Sequence, residues 1–216
     1  MKYQLAIFDL DGTILNTLQD LADSVNYALS LNGFPKRTVE EVCRFVGNGI
    51  GKLIQRAVPA ESTEEQTQKV FEDFKEYYRH HYADVTQEYS GITPLFEKLH
   101  RCGIKIAVVS NKADFAVQSL CKDFFDGQID YCVGERENVR RKPAPDSVNE
   151  VMHTLHISKE NTVYIGDSDV DINTAKNAQI DCISVSWGFR DTAFLNEHGA
   201  SVIVNNTEEL YRTIMT

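Results

Sequence analysis

The sequence predicts an α/β fold: an open, doubly wound, mainly parallel sheet interrupted by an inserted all-helical domain. Three observations carry this. Short strand-like runs alternate with helical patterns through most of the chain. Several runs are apolar almost without a break, as strands buried on both faces of a parallel sheet are. One stretch, of roughly 70 residues, shows helical periodicity only.

In chain order the strand-like runs cover residues 3–10, 105–110, 129–134, 162–166, 182–185 and 201–204. Helical segments separate the later ones, and right-handed crossovers through them give a parallel sheet. Over 91–101, Thr93 is a plausible N-cap, Pro94 sits in the first turn, and Leu95, Phe96 and Leu99 form a stripe that Gly103 ends. Between the first two strands, Leu18, Leu21, Val25, Ala28 and Leu29 form one helical stripe. Val70, Phe74, Tyr77, Tyr78 and His81 form a second. The expected division is a core of residues 1–14 and 90–216 with a helical domain of 15–89 set into it.

Composition narrows the partners. The 216 residues are 42% hydrophobic and 25% charged, ordinary for a globular protein. Lys and Arg number 22 against 32 Asp and Glu, a formal net charge of -10. Such a surface repels nucleic acid and anionic membranes, so neither is an expected partner. It also repels phosphorylated substrates, so a phosphate site must carry its own cations. The apolar run before Asp9 is too short for a secretory signal, and no segment has the ~20 apolar residues of a membrane span. Five scattered cysteines (Cys43, Cys102, Cys121, Cys132, Cys182), none in a Cys-x-x-Cys pair, fit reduced thiols in a cytoplasmic protein.

The chemistry-bearing residues follow strands. Asp9-Leu10-Asp11-Gly12-Thr13 ends the first, and alternation puts both carboxylates on one side, with Gly12 permitting a tight turn. Two carboxylates so close repel unless a cation or a shared proton lies between them. Gly166-Asp167-Ser168-Asp169-Val170-Asp171 follows the fourth run. Ser168 and Asp171 there read equally as a helix capping box, which leaves Asp167 unexplained. Neither acidic run fits a calcium loop, since Ile14 and Ile172 stand where that loop needs glycine. Asp9 and Asp167 together suit Mg²⁺ if their strands are neighbours.

Ser110-Asn111 ends the second run and offers a hydroxyl and an amide to a phosphoryl oxygen; Ser110 reads as readily as the N-cap of a helix over 113–124. Arg140-Arg141-Lys142-Pro143-Ala144-Pro145 is the most concentrated cationic feature, with Pro143 favouring an extended Lys142 and Pro145 able to open a helix. Ligands of open α/β sheets bind beyond the carboxyl ends of the strands, and all these groups map there.

These motifs, in this order and spacing, closely resemble the haloacid dehalogenase superfamily over nearly the whole chain: Asp-x-Asp-Gly-Thr at Asp9, a strand-terminal Ser110, Lys142 in Lys-Pro-x-Pro, and Gly-Asp-x-x-x-Asp at Asp167 and Asp171. The resemblance implies a Rossmann-like core with a helical cap of the family's first class, and a Mg²⁺-dependent phosphatase. By matching position, Asp9 would be the nucleophile and a metal ligand. Asp11 would be the acid and base, and would give its carbonyl to the metal. Ser110 and Lys142 would bind the phosphoryl group, Asp167 would bind Mg²⁺, and Asp171 would orient metal-bound water or Lys142, with Asn111 in support. Asp11 argues against dehalogenation, since dehalogenases of the family lack an aspartate there.

Substrate choice in the family rests on the cap. Phe45-Val46-Gly47-Asn48-Gly49-Ile50 resembles the specificity loop of phosphoglycolate phosphatases, and reads equally as an interhelical turn. A small phosphorylated metabolite, best matched by 2-phosphoglycolate, is the implied substrate. Arg44, Lys52 and Arg56 are candidate contacts for a substrate carboxylate, though exposed cations are the default. Ser186-Trp187-Gly188-Phe189-Arg190 is expected as a packed aromatic turn near the rim. His153 and His156 have ligand spacing but no third partner, and His80 and His81 fall on different faces. A β-phosphoglucomutase-like isomerase, a pyrophosphatase and a broad sugar-phosphate phosphatase share every catalytic residue. A receiver domain lacks the insertion and the second acidic cluster. A non-catalytic relative would not need the complete set of catalytic side chains.

Overall fold

The computed structural model describes residues 2–216. It comprises two compact units: one runs to Leu15 and resumes over Glu88–Thr216, and the other is Asn16–Gln87. In the larger unit six strands form one parallel sheet: β1 (Leu5–Phe8), β4 (Lys105–Ala113), β5 (Tyr131–Glu135), β6 (Thr162–Gly166), β7 (Asp181–Val185) and β8 (Ile203–Val204). Two-residue strands β2 (Leu15–Asn16) and β3 (Gln87–Glu88) pair where the chain leaves and re-enters this unit.

The sheet order is β5-β4-β1-β6-β7-β8. β1 is therefore central, with Phe8 beside Val108 of β4 and Ile165 of β6. Successive crossovers proceed to opposite sides of β1, which makes its C-terminal end a topological switch point. Every residue of β1 and β6 is buried, as the unbroken apolar runs require.

Both faces are covered. On one, Leu5, Ile7, Ala107, Val109 and Tyr164 pack with Val148 and Val151 of α7 (Asp146–Thr154) and Ala175 and Ala178 of α8 (Asp169–Ala178). On the other, the Phe8 ring meets Phe96 of α5 (Ile92–Arg101) edge-on at 5.1 Å, and Phe96 meets Phe125 of α6 (Asp114–Phe125) at 5.2 Å. Helices α9 (Thr192–Glu197) and α10 (Thr207–Met215) complete the unit.

The smaller unit contains α1 (Leu18–Leu31), α2 (Val39–Phe45), α3 (Ile50–Ala57) and α4 (Glu64–His81). Its core joins Leu21, Val25 and Leu29 to Val42, Leu53, Ile54, Val70, Phe74 and Tyr78. Thr38 and Thr63 form capping boxes with Glu41 and Gln66 that start α2 and α4. The buried Asp20 carboxylate accepts from the Val85 and Thr86 amides and the Thr86 hydroxyl, tying α1 to the segment after α4.

Local expectations fail at three places. Gly91, in the left-handed region, caps α5, and Thr93 instead donates to Glu88 from inside the first turn. β4 continues to Ala113 through a register shift, so α6 begins at Asp114 and Ser110 is no N-cap. Tyr77 and His81 stand outside the α4 core stripe: the Tyr77 ring stacks on Tyr27 at 3.9 Å and on His81 at 4.0 Å. Among the described residues, no helix is long and apolar enough to cross a membrane.

Candidate active site

The strand ends deliver the acidic residues together. The Asp9 amide donates to the Ile165 carbonyl at 2.9 Å, extending the β1–β6 pairing one residue past β1. Asp9 and Asp167 therefore leave neighbouring strands, the condition their joint use requires. The chain then folds tightly, with the amides of Thr13, Ile14 and Leu15 all donating to the Leu10 carbonyl. Gly12 lies at φ +84°, and a Cβ there would collide with the Asp167 carboxylate. Turn geometry and the close approach of Asp167 thus both demand glycine.

Lys142 arrives from the loop after β5. Its Nζ lies 2.9 Å from Asp9, 2.8 Å from Asp171 and 2.9 Å from the Tyr164 hydroxyl, so its three donors have three acceptors. Tyr164, buried in β6, donates its own hydroxyl to the Val109 carbonyl at 3.0 Å. The Asn111 amide donates to the Lys142 carbonyl, tying the end of β4 to this loop. Ser110 is buried, and its hydroxyl accepts from the Lys112 amide. Asp171 also accepts from the Ser168 hydroxyl at 2.6 Å and amide at 3.1 Å. It serves both readings of the motif: it caps α8 and holds Lys142.

Asp11 takes a different partner. Its carboxylate lies 2.8 Å from Nζ of Lys112, whose side chain is 2% exposed. The sequence reading missed Lys112, and also Tyr164. The only signal for Lys112 was a cation within three residues of an apolar strand's expected end. Arg140 and Arg141, by contrast, pair outward with Asp146 and Glu135.

The electrostatics follow from burial. Burial pushes the Asp9 carboxyl well above its ordinary range; Lys142 opposes this, while Asp171, Asp167 and Asp11 add to it. Burial likewise drives Asp167 up to about 7, with Asp171 contributing and the Phe189 amide, Arg190 and Thr13 pulling back. Burial alone would lower Lys142, but Asp171, Asp9 and Tyr164 carry it well above its usual value, so it stays charged. Ligand oxygens of Asp9, Asp167 and Asp171 lie within 4.8 Å of one another, the one such group of three among the described residues. The Asp11 side chain falls outside this group. Within this group Lys142 engages both Asp9 and Asp171, Ser168 also engages Asp171, and Thr13 and Phe189 donate to Asp167.

Residues 186–190 are not merely a packed turn. The Phe189 amide donates to Asp167 at 2.7 Å and the Trp187 indole donates to the Thr13 carbonyl at 3.0 Å. In the smaller unit, Gly47, Asn48 and Gly49 connect α2 and α3, with positive φ at both glycines. Arg56 is engaged by this connection, donating to Phe45 and Asn48, and Lys52 donates to Gln55. His153 and His156 pack ring against ring at 6.4 Å. Among the described residues, none of the five cysteines forms a disulfide.

The parallel sheet thus carries a lysine-bridged carboxylate cluster at its switch point. The chain belongs to the haloacid dehalogenase-like hydrolases, whose family model matches residues 6–185. Within that family it is a phosphoric monoester hydrolase, similar to phosphoglycolate phosphatases. It is 30% identical to the phosphoglycolate phosphatase of Neisseria meningitidis, over 98% of this chain and 93% of that one. It is 32% identical to the phosphoglycolate phosphatase of Mannheimia succiniciproducens, over 87% and 88%. A crystal structure from Lactobacillus delbrueckii subsp. bulgaricus, provisionally described as a phosphoglycolate phosphatase, superposes with a TM-score of 0.95 at 40% identity, covering 99% of each chain.

Proposed function

We propose that the chain is a Mg²⁺-dependent phosphatase that hydrolyses 2-phosphoglycolate through a phospho-aspartate on Asp9. The observation that carries this reading is Lys142, buried and held between Asp9 and Asp171. It places a cation against the attacking carboxylate, where the dianionic phosphoryl group must arrive. The relatives' names supply the substrate.

The donor set fits the metal. The cluster sets four carboxylates (Asp9, Asp11, Asp167, Asp171) against two lysine ammoniums, and a divalent cation supplies the missing charge. Hard oxygen donors from Asp9 and Asp167 suit Mg²⁺, which keeps waters and phosphate oxygens as its other ligands. Bound there, it would neutralise phosphoryl charge.

Asp9 attacks phosphorus; the new bond joins its carboxylate oxygen to phosphorus as the bond to the glycolate oxygen breaks. Asp11 donates a proton to that departing alkoxide, then takes one from the water that attacks the phospho-aspartate, releasing phosphate and restoring Asp9. Lys112 holds the Asp11 carboxylate in place. Lys142 and the Ser110 hydroxyl stabilise the phosphoryl oxygens, so catalysis is mainly positioning and electrostatics. We read the helical unit as a cap and its Gly47-Asn48-Gly49 connection as the substrate-selecting loop. The low pI and reduced thiols suit a cytoplasmic enzyme acting on a free metabolite.

The test is Mg²⁺-dependent phosphate release from 2-phosphoglycolate, sugar phosphates, nucleotides and pyrophosphate, with a coupled assay for glucose 1-phosphate isomerisation. The largest kcat/KM is expected for 2-phosphoglycolate. A flat or sugar-directed profile would remove that substrate and keep the phosphatase; isomerisation without phosphate release would overturn hydrolysis.

A further inference from the structure

Asp167 is held on one side by Thr13 of the first motif and on the other from a direction that none of the sequence motifs supplies. The chain leaves β7 and is anchored at Ser186, whose amide donates to the Val204 carbonyl and whose hydroxyl donates to Asn205. It then turns over the acidic cluster. The Trp187 indole N–H donates to the Thr13 carbonyl, the Thr13 hydroxyl donates to Asp167 Oδ1 at 3.2 Å, and the Phe189 amide donates to Asp167 Oδ2 at 2.7 Å. These bonds close a ring running from Asp167 through Thr13, Trp187 and Phe189 back to Asp167.

Gly188 sits where the ring is tightest. A Cβ built on it would overlap Asp167 Cβ and the Gly12 carbonyl oxygen, and would lie 2.5 Å from Asp167 Oδ2. Neither neighbour can yield easily, because Gly12 belongs to the folded 10–15 turn and Asp167 is 2% exposed. Each carboxylate oxygen holds one protein donor, which leaves it acceptor capacity, and a ligand oxygen of Asp167 lies within 4.8 Å of those of Asp9 and Asp171.

We propose that residues 187–189 form a positioning clasp that fixes the Asp167 carboxylate for cation binding, with Gly188 as the residue that lets the clasp close. The inference rests on the metal reading above. Ligating carboxylates are themselves oriented by hydrogen bonds, and loss of such a partner weakens metal affinity. The clasp differs from the motif residues in kind: its essential donor is a backbone amide, and its essential side chain is the absence of one.

The experiment is calorimetric titration of the full chain with Mg²⁺, in wild type, Gly188→Ala and Trp187→Phe, with kcat measured at saturating Mg²⁺. Gly199→Ala, whose glycine has positive φ and open space around it, controls for general loop strain. The Mg²⁺ dissociation constant is expected to rise about tenfold or more in Gly188→Ala, the scale for a lost partner of a metal ligand. A smaller rise is expected in Trp187→Phe, none in Gly199→Ala, and kcat should recover largely at saturating Mg²⁺. A folded Gly188→Ala chain with wild-type affinity overturns the proposal, as does a fall in kcat with affinity unchanged. If Gly188→Ala does not fold, Trp187→Phe decides, and an unaltered dissociation constant there overturns it. Failure of the wild-type protein to bind Mg²⁺ would instead refute the metal reading itself.

Discussion

Replacing Lys142 by methionine removes a charge from the most buried part of the site while keeping its length. In the metal-free protein the ammonium is shared by Asp9, Asp171 and Tyr164, and the lysine side chain is 3% exposed. Asp171, 1% exposed, then keeps the Ser168 donors and loses its cation. Breaking a buried pair in this way costs about 3–5 kcal/mol. Expected at pH 7 is a loss of about 4 kcal/mol, equivalent to a Tm lower by about 10 °C for a chain of this size. Urea unfolding in EDTA measures it, followed by the fluorescence of Trp187, the single tryptophan and a reporter of the larger unit. Adding Asp171→Asn to Lys142→Met should recover most of the loss. A deficit below about 1 kcal/mol at pH 7 would refute the reasoning, since it would mean that Asp171 does not depend on Lys142 as a buried ion pair does.

Two further outcomes follow from the same geometry. Lys112→Met removes the ammonium that holds the Asp11 carboxylate, so kcat on an alkyl phosphate should fall by up to about a hundredfold with KM little changed. The fall should be smaller on p-nitrophenyl phosphate, whose leaving group needs little protonation; equal losses on both would place Lys112 outside the acid–base step. Burial raises Asp167 to about 7, so Mg²⁺ must compete with a proton there. Affinity should drop by up to about tenfold per pH unit below that value, measured by calorimetry, and a flat profile would contradict the competition.

Much of this site was legible because its chemistry is carried by side chains at strand ends. The apolar runs before Asp9 and Asp167 mark buried parallel strands, and once β1 and β6 pair, the two carboxylates must converge. Lys142 stood out because a basic run is conspicuous in an acidic chain. Other parts left no such mark. The Phe189 amide is a backbone group that every residue but proline carries, so nothing in the letters points to it. Lys112 is one of 22 cations, and only the extension of β4 past Ser110 buries it. The same extension defeats Ser110 as a helix cap: local capping propensity yields to strand pairing with β5. Tyr77 and His81 matched the helical period of α4, but a stripe's edge is set by the neighbouring helix: Tyr77 stacks on Tyr27 and His81 stacks on Tyr77 rather than enter the core.

The central claim is that Asp9 is the group that takes the phosphoryl from substrate. Rapid acid quench of the wild-type chain turning over 2-phosphoglycolate with Mg²⁺, followed by peptide mass mapping, tests it directly. The account predicts one phosphoryl group on Asp9 at early times, and neither modification nor turnover in a folded Asp9→Asn chain. Sustained phosphate release by Asp9→Asn, or a phosphoryl group mapped to any other residue, would contradict it.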